Sequence, residues 1–278
     1  MIRGFWRLLH PVPSLLTVLA AGAFVLLAAR GLPPAGRLLY LLVIEACMQF
    51  SISAFNDYFD RHVDTGRPEK PVAAGVISPR MAFAVGLVFA LLAVGLALPL
   101  GLWVTVLTVV GLGGGLLYDA GLKYTAFSWV PFAVAFPTLP LWAWAGAAAD
   151  GTIPARLVWI APVGAVLVLG IHLADTVPDI ASDTGAGVRG LAHRLGPDRA
   201  LALCWGAFGA AAVLTLLLWV AVPYRAEWYL PGLALGLLLM ACGVALYKVD
   251  RARIRQMALL LELGALVLAV GWVAGITL

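Results

Sequence analysis

The stretch Asn56-Asp57-Tyr58-Phe59-Asp60-Arg61-His62-Val63-Asp64 decides the reading of this chain, together with Arg67, Pro68, Lys70 and Pro71 just behind it. It follows a mostly apolar run from Leu38 to Phe55, long enough for a membrane-spanning helix. At about 100° per residue, a continued helix would place Asn56, Asp60 and Asp64 on one face, with Asp57 flanking them. Like charges at that spacing repel, so the ladder calls for a cation. Hard cations such as Mg²⁺ prefer carboxylate oxygens.

Composition sets the solvent. Of 278 residues, 63% are hydrophobic and 12% charged, and the mean hydropathy is +1.01. A soluble domain carries about 25% charged residues. The chain therefore reads as an all-α, polytopic membrane protein. Its apolar runs are of helical length, whereas a β-barrel strand would alternate over about ten residues. A net charge of +4, confined to loops, gives no ground for a nucleic-acid partner. No small-residue cleavage site follows the N-terminal Arg3 and Arg7, so a cleaved signal peptide is not expected. Cys47, Cys204 and Cys242 lack metal-type spacing and read as packing residues.

Nine spans are expected, at roughly 13–30, 37–56, 80–99, 101–118, 127–147, 155–175, 200–222, 228–247 and 256–277. Short connections bearing Gly or Pro separate them, among them Gly31-Leu32-Pro33-Pro34 and Asp150-Gly151-Thr152-Ile153-Pro154. Pro99 and Gly101 mark the weakest boundary, where an eight-span reading would fuse two helices. Arg30, Arg37, Arg156 and Arg225 fall on one side of this topology, and the rest of the 18 Lys and Arg fall on the other. The positive-inside rule makes the second side cytoplasmic, with the N-terminus inside and the C-terminus outside.

A second acidic run, Asp175-Thr176-Val177-Pro178-Asp179-Ile180-Ala181-Ser182-Asp183, ends the sixth span on the same side. Asp175, Asp179 and Asp183 repeat the spacing of the first ladder, and Pro178 is expected to kink the helix. A basic loop with Arg189 and Arg194 follows. Span, carboxylates and cationic loop thus occur twice, which suggests two four-helix halves plus a ninth helix around a central cavity. Facing ladders would hold Mg²⁺ on a substrate diphosphate, while Arg and Lys clamp its oxygens. A diphosphate at a membrane edge above an apolar interior suggests a lipid tail, and an isoprenoid diphosphate meets both conditions.

The pattern Asn56-Asp57-x-x-Asp60-x-x-x-Asp64, then Arg67-Pro68-x-Lys70-Pro71, with Asp175, Asp179 and Asp183 further on, resembles the UbiA superfamily of intramembrane prenyltransferases. The likeness covers nearly the whole chain and implies a single transmembrane catalytic domain over residues 1–278. It implies Mg²⁺ held by Asp57, Asp60, Asp64, Asp175, Asp179 and Asp183, and a prenyl diphosphate bound near Asn56. It also implies that Tyr118 and Lys123 assist the diphosphate. The basic residue that often precedes the second motif in members with aromatic acceptors is missing here, which leaves the acceptor class open.

Other polar residues in the spans are candidates. Ser53, Gln49 and Glu45 fall near the face of Asn56, with Glu45 about 15–20 Å deeper. An ionisable group at such depth points to a site or to a buried hydrogen bond. His172 lies near the face of Asp179 and reads either as an acceptor-side base or as a packed histidine. The run Gly111-Leu112-Gly113-Gly114-Gly115 suits close helix packing. His10 and His62 read as interface residues, and Lys248, Arg251, Arg253 and Arg255 as topology determinants or headgroup contacts.

The expected activity is Mg²⁺-dependent transfer of a polyprenyl group from its diphosphate to an apolar acceptor, aromatic or lipid, within the cytoplasmic membrane. A related enzyme with a phosphoribosyl diphosphate donor, a terpene cyclase and an ion- or proton-coupled transporter are the rivals. Transport fits less well, because both acidic runs lie on one side and not at the midplane.

Overall fold

The computed structural model describes residues 2–148, 151–185, 187–220 and 222–277. Asp150, in the connection expected before the sixth span, lies outside the described residues. Twelve α-helices follow in order: α1 (Ile2–Leu8), α2 (Pro11–Ala28), α3 (Ala35–Asp60), α4 (Pro79–Ala97), α5 (Leu102–Ala120), α6 (Val130–Ala147), α7 (Ile160–Thr176), α8 (Ile180–Gly185), α9 (Leu191–Leu195), α10 (Pro197–Leu218), α11 (Ala226–Val249) and α12 (Ile254–Thr277). Among the described residues nine helices are long and apolar enough to cross a membrane, namely α2–α7 and α10–α12. The span at Pro79–Leu100 has mean hydropathy 2.6 in its most apolar window, of which only 22% is buried. Leu87, Val88, Leu91 and Leu92 are exposed on it. An apolar surface of that extent needs hydrocarbon as its solvent. The protein is a multi-pass membrane protein.

Local chemistry places the breaks. Ser78 caps α4 by accepting from the Met81 amide at 3.2 Å, and Pro79 opens the helix. The weak boundary at Pro99 is a real one. A 3₁₀ turn, Leu98–Leu100, ends at Gly101, whose φ of 103° few other residues adopt.

The contacts divide the chain into two compact units, Met1–Leu122 with Thr138–Ile153, and Lys123–Pro137 with Pro154–Leu278. Four spans belong to each, and the fifth, α6, contributes to both.

In the first unit α3 packs on α2, α4 and α5. The glycine run is the means of the α3–α5 approach. A Cβ on Gly111 would lie 2.8 Å from Met48 Cε, and one on Gly115 would lie 2.5 Å from Ile52 Cδ1. The short helix α1 is not a span. Its Leu8 packs with Ala54, Val72, Ile77 and Ala82, so it props the loop between α3 and α4.

In the second unit α11 and α12 pack backbone to backbone. A Cβ on Gly232 would meet Gly271 Cα at 2.7 Å, and one on Gly236 would meet the Gly264 carbonyl at 2.7 Å. α7 and α10 share a core that includes Leu173, Cys204 and Phe208 with Met257 and Leu261 of α12.

Candidate active site

The last turn of α3 carries Asn56, Asp57 and Asp60, and the helix ends there. Asp64 therefore lies just beyond the helix. Beyond Asp60 the chain folds into turns, with the Val63 and Asp64 amides both donating to the Asp60 carbonyl at 2.8 Å. This brings Asp64 against the basic loop. Arg67 Nη1 donates to Asp64 Oδ1 at 3.0 Å, and Lys70 Nζ lies 3.7 Å from Asp64 Oδ2. Burial pushes the Asp64 carboxyl above its ordinary range, and Lys70 pulls it back.

The centre of this cluster is Asp57, 2% exposed. Lys70 Nζ donates to its Oδ1 at 3.0 Å and to Asn56 Oδ1 at 3.3 Å. His10 Nε2 lies 2.9 Å from the same Asp57 oxygen. Asn56 Nδ2 donates to Asp60 Oδ2 at 3.0 Å and to Asp119 Oδ1 at 2.8 Å.

His10 and Asp119 are members that the sequence reading missed. His10 is not merely an interface residue, because its left-handed backbone (φ 42°) at the start of α2 presents it to Asp57. Asp119, buried at the end of α5, is a carboxylate in a span, which is the signal that marks such sites.

The second acidic run is not one helix either. α7 gives way at Thr176 to a 3₁₀ turn, Val177–Asp179, and α8 begins at Ile180. The kink expected of Pro178 thus takes the form of a change of helix type. Asp175, Asp179 and Asp183 lie on three successive elements, and the side chains of Asp179 and Asp183 are more open than those of Asp57 and Asp64. Arg255 Nη2 donates to Asp179 Oδ1 at 2.5 Å, so Arg255 does more than set topology. His193 lies 3.9 Å from Asp183, and burial pushes its imidazole below its ordinary value against the pull of that carboxylate.

The remaining candidates divide by surroundings. Tyr118 sits half-buried on α5 in the first unit. Lys123 belongs to the second, where it is 6% exposed with Nζ 5.6 Å from the Tyr124 ring centre. Arg189 and Arg194 are exposed, and Arg194 Nε donates to the Arg189 carbonyl at 2.9 Å. His172 is 3% exposed, with Nε2 3.0 Å from Ser128 Oγ and its ring against Phe132. Those are the surroundings of a packed histidine. Glu45 Oε1 accepts from Gln49 at 2.8 Å, while Ser53 lies 3.5 Å from Ser14 of α2.

Among the described residues no three His, Cys, Asp or Glu side chains converge closely enough to cage a metal ion unaided. Mg²⁺ needs less, since it uses one or two carboxylates and takes phosphate and water oxygens for the rest. The first cluster fits that demand. Asp57 Oδ2 is buried without a hydrogen-bond partner among the described residues, and the Lys70 ammonium beside it shows that the place holds positive charge.

The sequence model of the UbiA prenyltransferase family matches residues 14–275. The chain belongs to the UbiA prenyltransferase family. It is 31% identical over 294 aligned positions to digeranylgeranylglyceryl phosphate synthase of Halobacterium salinarum, covering 98% of this chain and 97% of that protein. It is 29% identical to 4-hydroxybenzoate octaprenyltransferase of Hydrogenovibrio crunogenus, covering 87% of this chain and 82% of the relative. The fold matches a structure of a UbiA homolog from Archaeoglobus fulgidus bound to GPP and Mg²⁺, with a TM-score of 0.71 at 17% identity over 98% of this chain and 99% of that one. A solved structure described for digeranylgeranylglyceryl phosphate synthase in membranes gives a TM-score of 0.75 at 16% identity, over 100% of this chain and 99% of the other.

Proposed function

We propose that this chain transfers a polyprenyl group from a polyprenyl diphosphate to an apolar acceptor, aromatic or lipid, within the membrane. The observation that carries this reading is the first cluster, in which Asn56, Asp57 and Asp64 gather around the Lys70 ammonium at the end of an apolar span, with Asp60 held by the Asn56 amide. The relatives named above are prenyltransferases with both kinds of acceptor.

Asp57, Asp60 and Asp64 in the first run, and Asp175, Asp179 and Asp183 in the second, would hold Mg²⁺ together with the diphosphate. When bound, the metal draws charge from the diphosphate oxygens and makes diphosphate a good leaving group. Arg67, Lys70, Arg189 and Arg194 donate to those oxygens, Arg with two parallel bonds and Lys as a point charge. Tyr118 and Lys123 add a hydroxyl and an ammonium to the same group, and Asn56 orients Asp60 through its amide. The apolar spans keep water away from the allylic cation until the acceptor attacks and releases its proton. The chain acts as one catalytic domain in the cytoplasmic membrane, with the N-terminus inside and the C-terminus outside.

Incubating the purified protein and Mg²⁺ with radiolabelled geranylgeranyl diphosphate, or with phosphoribosyl diphosphate, tests the donor class. Prenyl transfer with diphosphate release from the first alone is the expected result. Turnover of the second alone, or ion flux in liposomes without diphosphate release, would reject the proposal.

A further inference from the structure

The second unit contains a buried polar junction that the reaction scheme leaves unused. Ser128 and His172 are 2% and 3% exposed. Ser128 Oγ lies 3.0 Å from His172 Nε2, and it accepts the Leu191 amide at 3.0 Å. A hydroxyl has one proton to give. With the amide donating to one lone pair of Oγ, the hydroxyl still has its proton and a second lone pair for His172 Nε2, so the pair is hydrogen-bonded in either imidazole tautomer. Phe132, one turn after Ser128, lies with its ring centre 5.1 Å from that of the imidazole.

Leu191 opens α9, and the residues on either side of it carry the loop's cations. Arg189 is two positions before it, and Arg194 is tied back to the Arg189 carbonyl. Gly190 has no room for a side chain, because a Cβ there would lie 2.9 Å from the Lys123 carbonyl and 3.1 Å from Ser128 Oγ. The same junction therefore touches the backbone of Lys123 and the start of α9. On either side of this segment, Gly187 and Gly196 have φ of 85° and 77°, so the segment has permissive joints at both ends and one firm anchor between them.

We infer that Ser128 and His172 are positioning residues for the donor's diphosphate, holding Lys123 in fixed register with the Arg189–Arg194 segment through the Ser128 hydroxyl. The inference rests on the proposed donor class, and it takes His172 out of proton transfer. The imidazole is the hydrogen-bond partner that aims Ser128, and Ser128 aims the loop.

The test compares Ser128→Ala, His172→Leu and His172→Gln with Thr215→Val, which removes a buried hydroxyl bonded to Tyr229 at 2.9 Å elsewhere in the same unit. Four quantities are read: the Kd of inorganic pyrophosphate with Mg²⁺, the KM and kcat for geranylgeranyl diphosphate, and hydrogen exchange at the Leu191 amide. Ser128→Ala and His172→Leu should raise Kd and KM about tenfold, the effect of one lost buried hydrogen bond, with kcat changed by less than about twofold. The Leu191 amide should lose protection in both. His172→Gln, whose amide can donate or accept, should recover most of the affinity, and Thr215→Val should leave all four readings in place.

Unchanged pyrophosphate affinity and Leu191 exchange in Ser128→Ala would overturn the inference, as would equal shifts in Thr215→Val. A wild type that binds pyrophosphate but does not turn over the prenyl donor would count against the donor class alone. The junction would then be judged on affinity and exchange. A wild type that binds no pyrophosphate would overturn both.

Discussion

The two acidic runs share a spacing in sequence and differ in physical state. In the first, Asp57 and Asp64 are 2% and 5% exposed, and Lys70, Arg67 and His10 already surround them. In the second, the Asp179–Arg255 pair has side chains 38% and 71% exposed, and the Asp183 side chain is 27% exposed. Buried carboxylates must have partners before any ligand arrives, whereas exposed ones are served by water. The first run is thus built around its charge, and the second carries its charge in the open.

The largest effect should make the two runs look alike. Asp60→Ala and Asp179→Ala should each reduce prenyl transfer at least about a hundredfold, in keeping with loss of a group acting on developing charge. Turnover by purified, folded variants checks this, and a normal rate in either would remove that run from the reaction. Chelation of divalent metal should stop turnover to a similar degree, and added Mg²⁺ should restore it.

Stability should then separate the runs. Lys70→Met leaves the buried Asp57 with His10 but without its ammonium neighbour and should cost about 3 kcal/mol. Arg255→Met breaks an exposed pair and should cost about 1 kcal/mol or less. Thermal unfolding in one detergent compares them directly, and equal losses would contradict the contrast. A smaller effect still is expected at the helix seam beneath the first run. There Gly115→Ala forces the flexible end of Ile52 aside and should cost about 1 kcal/mol.

The contrast also shows what could be read from the chain. The spans were legible because hydrocarbon selects continuous apolar stretches, and Gly101 and the prolines punctuate them. The acidic motifs were legible as composition but not as geometry. Nothing in the spacing of Asp60 and Asp64 tells that α3 ends between them. Nor does it tell that Asp175 and Asp179 are parted by a 3₁₀ turn, although Pro178 gave the cause.

His10 and Asp119 went unread because their partners lie 47 and 63 residues away, and a single polar residue carries no periodicity. Ser128 was hidden for the same reason. It belongs to no motif and acts through the backbone of Leu191. Gly190, directly after Arg189, was the nearest visible hint that something passes close by.

A metal-bound diphosphate held by both acidic runs should be lost when either run is broken. Calorimetric titration of Mg²⁺ and inorganic pyrophosphate into wild type, Asp60→Ala and Asp179→Ala tests it without any acceptor or turnover. The account predicts binding by wild type and loss of binding in each variant. Wild-type affinity in either variant would contradict it.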